Sequence, residues 1–302
     1  MKPVTVVGSY LTGLTMKVGR LPRPGETVVG DAFVEVPGGK GSNQAIAARR
    51  LGARVHFVGC IGGDERGDAA IEMWRSEGVD AELVRRSSSP TGIGFVMVDV
   101  AGANAIAIDP GANSELGAED LSRADTALAS SGVVLLQLEI SHRTMEAAAG
   151  RARAHGATVI LNPAPAVEAE ELLLKDVDIV TPNEEEFRVM AGTDDVESGA
   201  KKLLAMGPRA VVVTLGERGA RVVTSGDSYL VPAPVVKAVD TTGAGDAFNG
   251  ALAVALSEGE PLRQAVRFAN YAGALSVTKP EVVASLPRRA EVDEFIRNDV
   301  LE

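Results

Sequence analysis

The 302-residue sequence predicts an α/β fold, a three-layer αβα sandwich in which helices cover both faces of a mainly parallel sheet, with a small β-sheet standing off it. Two patterns predict it. Short continuous apolar runs alternate with segments of helical period, and continuous apolar strands are what a sheet buried on both faces requires. Two further segments alternate apolar and polar residues, as strands with one wet face do.

In chain order, PVTVVGS, VHFVGCIG, GVVLLQLE, ATVILNPAP, DIVTPNE and AVVVTLGE read as buried strands, each bounded by glycine, proline or polar residues. Helical period appears over Ser42–Leu51, Gly67–Glu77, His142–His155, Glu184–Met190 and Val196–Met206. Phe248, Ala251, Leu252, Ala255 and Leu256 fall on one face of a helix that starts near Gly243. The alternating segments are ETVVGDAFVEVPGG and TGIGFVMVDVAGANAIAID, and AGAN between the two arms of the second marks a hairpin. These insertions, at about residues 10–37 and 90–110, are expected to form a small antiparallel sheet, serving as a lid over the site or as a homodimer surface. With no internal repeat and no linker, residues 1–302 read as one domain carrying that lid. Ligands then belong at the carboxyl ends of the parallel strands.

A hydrophobic fraction of 45% provides for a sizeable core, and the 4% of aromatics leaves Ala, Val and Gly to fill it, which suits close helix-on-sheet packing. The formal charge of -11 disfavours nucleic acid and anionic membrane as partners, while leaving room for a locally positive phosphate pocket. The lone cysteine, Cys60, lies in an apolar run and reads as a buried strand residue; with no internal disulfide possible, a reducing cytoplasm is expected. The N-terminal MKPVTVVGSYL is too short and weakly apolar for a signal peptide, and no apolar run approaches the ~20 residues of a membrane span.

Several chemistries lack their motifs. VPGGKGSN has the wrong spacing for a P-loop, VVGSYLTG is not a dinucleotide fingerprint, and there is no G-x-S-x-G elbow. The three histidines, His56, His142 and His155, are scattered, which argues against a histidine metal site or a Ser-His triad. The strongest signal is DTTGAGDAFNGAL. Glycines at the start of a helix let unpaired N–H groups approach an anion, and the helix dipole adds to the attraction. Asp246 in that first turn has an ordinary explanation in the dipole alone. It is also suited to take a proton from a hydroxyl attacking phosphorus. In VPGGKGSNQAIAARRLGA, Gly38 and Gly39 end an extended segment before a helix near Ser42. They read either as a plain turn with a serine N-cap or as a tight site where backbone and Asn43 meet a polyhydroxylated ligand.

These two stretches, with PRPGETVVG, LNPAPA, TPNEEE, TLGERGA and FANYAGALSVTK in order along the chain, resemble the ribokinase-like (PfkB) family of sugar and nucleoside kinases, closest to its ribokinase branch. The resemblance implies an ATP-dependent carbohydrate kinase that uses Mg²⁺ and a monovalent cation, usually K⁺. It implies Asp246 as the base for a sugar hydroxymethyl, with the amides of Gly243, Ala244 and Gly245 on the transferring phosphate. Gly38, Gly39, Lys40, Asn43 and Glu139 are implied around the sugar. Asn183 and Glu186 match an N-x-x-E motif that supports magnesium and phosphates through water; Thr214, Gly216 and Asn270 match positions around the nucleotide. Asp240, Thr242, Lys279, Glu281 and Ser285 resemble the cation site. Asn183 and Glu186 also suit plain helix capping.

Two departures stand out. The ribokinase branch carries Asn-x-Asp after the first strand, where the aspartate holds sugar hydroxyls; here GSYLTGL puts Leu11 and Gly13 at those positions. Losing such a partner costs discrimination, which puts ribose in question as the substrate and admits a less hydroxylated or larger one, with Tyr10 or Thr12 as candidates to compensate. In the cation loop, Glu281-Val282 replaces the usual Gly-Ala. The leading expectation is phosphorylation of a primary hydroxyl of a sugar-like substrate. The alternatives are a nucleoside kinase of the same fold and a non-catalytic sugar-binding regulator; a dinucleotide-dependent oxidoreductase is disfavoured.

Overall fold

The computed structural model describes residues 1–299. Its strands are β1 (Val4–Val7), β2 (Leu11–Val18), β3 (Gly30–Gly38), β4 (Val55–Gly62), β5 (Val84–Ser87), β6 (Ile93–Asp99) and β7 (Asn104–Asp109), then β8 (Val133–Leu136), β9 (Thr158–Leu161), β10 (Ile179–Val180), β11 (Ala210–Thr214), β12 (Ala220–Thr224) and β13 (Ser228–Val231). Nine of them form one sheet in the order β13-β12-β11-β10-β9-β8-β1-β4-β5. From β11 to β5 every neighbour is parallel, and β12 and β13 add an antiparallel edge. Each apolar run expected to be a buried strand is one; β1, β4 and β8 are buried at every residue, as strands covered on both faces must be. Cys60 lies buried in β4, and burial pushes its thiol up to about 11.

Helices pack on both faces. Lys40–Arg50, Glu65–Glu77, Ala244–Ser257 and Leu262–Ser276 share one core with the sheet; His142–Ala154, Glu184–Ala191 and Val196–Ala205 share the other. The small residues of the sequence act where Lys40–Arg50 crosses Ala244–Ser257. A Cβ on Gly250 would lie 2.6 Å from Ala47 Cβ and 2.9 Å from the Ala48 nitrogen. Overpacking of this kind costs about 1–3 kcal/mol. The close crossing brings the N-termini of the two helices together, and the candidate site forms there.

Residues 11–38 and 93–109 build the second sheet, ordered β3-β2-β6-β7. It is mixed rather than antiparallel. The hairpins are antiparallel within themselves, but β2 and β6 run parallel, from Thr12 opposite Ile93 to Val18 opposite Asp99. Each follows a parallel strand of the large sheet, β1 and β5, so both outgoing arms leave in one direction and meet side by side. Ser42 departs from its expected N-cap role. The helix begins at Lys40 after Gly39, and the Ser42 hydroxyl accepts the indole N–H of the fully buried Trp74 at 2.9 Å. Among the described residues, no helix is long and apolar enough to cross a membrane.

Candidate active site

The site starts from two glycine turns. Gly39 has φ 85°, and a Cβ on it would lie 2.7 Å from the Leu11 nitrogen and the Tyr10 Cα. Gly243 has φ 81°, and a Cβ on it would lie 2.6 Å from Val282 Cγ1. Only glycine meets both the left-handed backbone and the close approach. Gly243 caps the helix Ala244–Ser257 without a side chain, so the first-turn amides stay open. Among the described residues, the N–H groups of Gly243 and Gly245 find no acceptor, whereas that of Ala244 reaches the Thr241 carbonyl at 3.3 Å. Of the three amides expected to form the anion hole, two are therefore free and one closes the turn.

Asp246 follows in the same turn, 7% exposed. Its Oδ2 accepts Asn43 Nδ2 at 2.9 Å and its Oδ1 accepts Gln44 Nε2 at 3.0 Å. Both donors lie on Lys40–Arg50, so the helix crossing fixes the carboxylate. Burial pushes the Asp246 carboxyl above its ordinary range; the Lys40 ammonium and the two amides oppose the shift, and Glu139 adds to it. Burial works against the Lys40 ammonium, yet Asp246, Glu139 and Glu186 together hold its pKa above the usual value. Glu139 accepts from the Lys40 backbone N–H at 2.8 Å and from the Ser9 hydroxyl. Asn43 Oδ1 is buried without a partner among the described residues. An acceptor left like this costs about 1–3 kcal/mol unless a ligand donor meets it.

Beneath the carboxylate runs a polar network that the sequence did not disclose. Gln44, fully buried, also donates to Asn162 Oδ1 at 3.1 Å and accepts Gln137 Nε2 at 2.6 Å. Asn162 donates to the Thr181 carbonyl, Thr181 to Asn249 Oδ1, and Asn249 to the Gly245 carbonyl. The network thus joins the carboxylate to the turn that carries the open amides.

Asn183 and Glu186 form a reciprocal capping box. Asn183 Oδ1 accepts the Glu186 N–H and Glu186 Oε2 accepts the Asn183 N–H, each at 2.8 Å. The capping explanation therefore holds, and it leaves the second Glu186 oxygen uncommitted. Burial raises the Glu186 pKa, with the Asn183 N–H and Lys40 opposing. Thr214 ends β11 beside this cap, bridged to Asn183, and Gly216 follows with φ 59°.

Residues 1–289 match the description pfkB family carbohydrate kinase. The chain belongs to that family of carbohydrate kinases. Ribokinase of Haemophilus influenzae is 38% identical, over 98% of this chain and 99% of its own. Ribokinase of Thermotoga maritima superposes with a TM-score of 0.90 at 38% identity, over 98% of this chain and all of its own. Arabidopsis thaliana ribokinase, solved with ribose and ATP, gives 0.89 at 32% identity, over 98% of this chain and 99% of its own. The kinase has the ribokinase-like fold, a large mainly parallel sheet with a small four-stranded one.

Other residues of the kinase lie less simply than the resemblance implied. Asn270 is buried, and its amide donates to the Val231 and Pro232 carbonyls at 2.8 and 3.2 Å, so it holds the segment after β13. Lys279 turns its ammonium to Glu291 at 2.8 Å. Asp240 accepts the Thr242 N–H at 2.9 Å and the Glu281 N–H at 3.2 Å, while the Ser285 hydroxyl donates to the Val282 carbonyl. Glu281 has φ 65°, a conformation that a glycine would take without strain. Tyr10 and Thr12, the candidates to compensate for Leu11 and Gly13, lie apart from the Asp246 carboxylate's own partners. The Tyr10 ring packs edge-on against Trp74, and Thr12 faces a cavity behind the small sheet with Asp64 and Arg66.

Proposed function

We propose that this kinase transfers the γ-phosphoryl group of ATP to a primary hydroxyl of a sugar or sugar-like acceptor. The observation that carries the reading is the buried Asp246 carboxylate, held by two amides in the same turn as the open N–H groups of Gly243 and Gly245. The ribokinases among its relatives, one of them solved with ribose and ATP, support the choice of nucleotide and acceptor class. In the step, the acceptor oxygen bonds to phosphorus and its proton passes to Asp246. The bond from phosphorus to the bridging oxygen breaks, and ADP departs with that electron pair. Gly243 and Gly245 donate to the charge that develops on the phosphoryl oxygens, and the Lys40 ammonium balances the carboxylates around them. Gly38, Gly39, Asn43 Oδ1 and Glu139 hold the acceptor; Thr214 and Gly216 flank the nucleotide.

The residues fit a Mg²⁺ that arrives on the nucleotide. No cluster of three acidic, histidine or cysteine ligands exists among the described residues, and magnesium commonly binds through phosphates and a single carboxylate, here the free oxygen of Glu186. When bound, it neutralises phosphate charge. Asp240 and the carbonyls of the 279–285 loop offer the oxygen donors a monovalent cation takes, and Val282 against Gly243 ties that loop to the anion hole.

The small sheet is a lid and pairs two copies of the chain. Val34, Ile106 and Ile108 are 47%, 60% and 48% exposed on one of its faces, and β3 and β7 are open edges. Sedimentation at twice the protomer mass is the expected result; a monomer at micromolar concentration ends this part of the reading.

The test of the catalytic reading is coupled ADP release over pentoses, hexoses, deoxy sugars, sugar acids, polyols and nucleosides. At least one acceptor should turn over, and Asp246→Asn should lower kcat about a hundredfold or more. Activity within tenfold of the unaltered protein removes Asp246 from the role of base.

A further inference from the structure

The small sheet meets the site at the end of β2 nearest the large sheet. There β2 and β3 pair Leu11 with Gly38 and Gly13 with Val36; β6 sets Gly94 beside Gly13, and β7 sets Ile108 opposite Gly94. Cross-strand partners share a face, so these six residues line one surface next to the Gly39 turn. None of them has a polar side-chain atom. Thr15 is the next residue of β2 on that face, one step further from the Gly39 turn and paired with Val34 and Val96. Thr12 is paired with Pro37 and Ile93 on the opposite face, and Tyr10 lies against Trp74. The surface has open space at Gly94 and less at Gly13. A Cβ on Gly94 would meet nothing within 4 Å, and one on Gly13 would meet only Val36, at 3.1 Å from Cγ2.

We infer that the acceptor presents hydrogen or carbon to this surface, where a pentose would present hydroxyls. Its polar groups gather toward Asp246, Asn43 and Lys40, and its far end is deoxygenated or carries an alkyl or aryl group. This rests on the kinase reading above. A hydroxyl pressed against Leu11 and Val36 loses its water and gains no partner. A C–H, methyl or ring edge in the same place gains from burial. Leu11 and Gly13 are then the residues that set specificity, the first by excluding polar contact and the second by leaving space.

The experiment compares kcat/KM for ribose, 2-deoxyribose, 3-deoxyribose and phenyl β-riboside. The deoxy sugars report a missing hydroxyl, and the riboside reports an added apolar group. At least one should exceed ribose tenfold. Leu11→Asn with Gly13→Asp should move that ratio back toward ribose tenfold or more, because a site built to bond a hydroxyl rejects the analogue without it. Gly13→Ala alone, a milder change, should lower the riboside and spare the deoxy sugars if the space is used. Ribose leading the panel in the unaltered protein overturns the inference. So do unchanged ratios in a double variant that melts as a folded protein; if that variant does not fold, a preference for ribose over all three analogues in Gly13→Ala decides against it. No ADP release on any acceptor sinks the kinase reading itself, and this inference with it.

Discussion

At Gly243 a Cβ would lie 2.6 Å from Val282 on a backbone with φ 81°; at Gly94, in the small sheet, a Cβ would meet nothing within 4 Å. The first region is over-determined. Its glycine is required twice, its carboxylate is held by two amides, and a chain of side chains from Gln137 to Asn249 sits beneath it. The second region has slack, and the residues paired around Gly13 and Gly94 are apolar. Chemistry that is common to many acceptors needs fixed atoms, so the helix end admits little variation. Recognition of one acceptor needs only a wall of suitable shape, so the small sheet can change a residue at a time without disturbing the fold.

Gln44 gives the largest expected effect at the helix end. If the helix end is rigid because amides hold it, Gln44→Leu should lower kcat about ten- to a hundredfold, the range expected for losing a hydrogen bond to a charged group. KM for the acceptor should move less, because Gln44 faces Asp246 and not the acceptor. The pH profile separates positioning from mere support. In the proposed role of base Asp246 would work only when ionised, and its pKa already lies above the ordinary carboxylate range through burial. Activity is therefore lost as pH falls through that raised value. The Gln44 N–H favours the ionised form, so removing it raises the pKa further and shifts the acid limb of kcat/KM to higher pH. A variant that only melts earlier, with its limb in place, would show Gln44 to be structural.

The sequence made the large sheet readable because strands covered on both faces are continuous apolar runs, and even the two-residue β10 was visible within DIVTPNE. It hid β2, whose LTGLTMKV mixes glycine, threonine and lysine, and it hid the parallel pairing of β2 with β6. That pairing joins segments about eighty residues apart and follows from the direction in which each leaves the large sheet, a property with no local signal. The same limit applied in the site. Asp246 and its glycines could be read because a glycine turn opening a helix is a local pattern with a chemical meaning. Gln44 could not, since a glutamine inside a helix says nothing until its partner, 202 residues on, packs beside it. Asn270 shows another side of that limit. Its position matched, but its amide is engaged by the Val231 and Pro232 carbonyls.

The smallest effect tests whether the rigid end depends on backbone or on side chains. Glu281 is the one non-glycine residue with positive φ among those described. Its N–H reaches Asp240, and its neighbour Val282 rests on Gly243. Holding a glutamate in that conformation costs about 1–3 kcal/mol. Glu281→Gly removes the strain but loosens the unfolded chain by about 0.5–1 kcal/mol. The strain equals or exceeds the entropy term, so denaturant unfolding should show a stability unchanged or raised by up to ~2.5 kcal/mol. Because the bond to Asp240 comes from the backbone, the rate of ADP release, and its response to exchanging K⁺ for a large organic cation, should stay as they are. A variant destabilised by more than ~1 kcal/mol, or one that loses its cation response, would mean that the glutamate side chain holds the loop, and that the rigid end of the site leans on a residue free to vary after all.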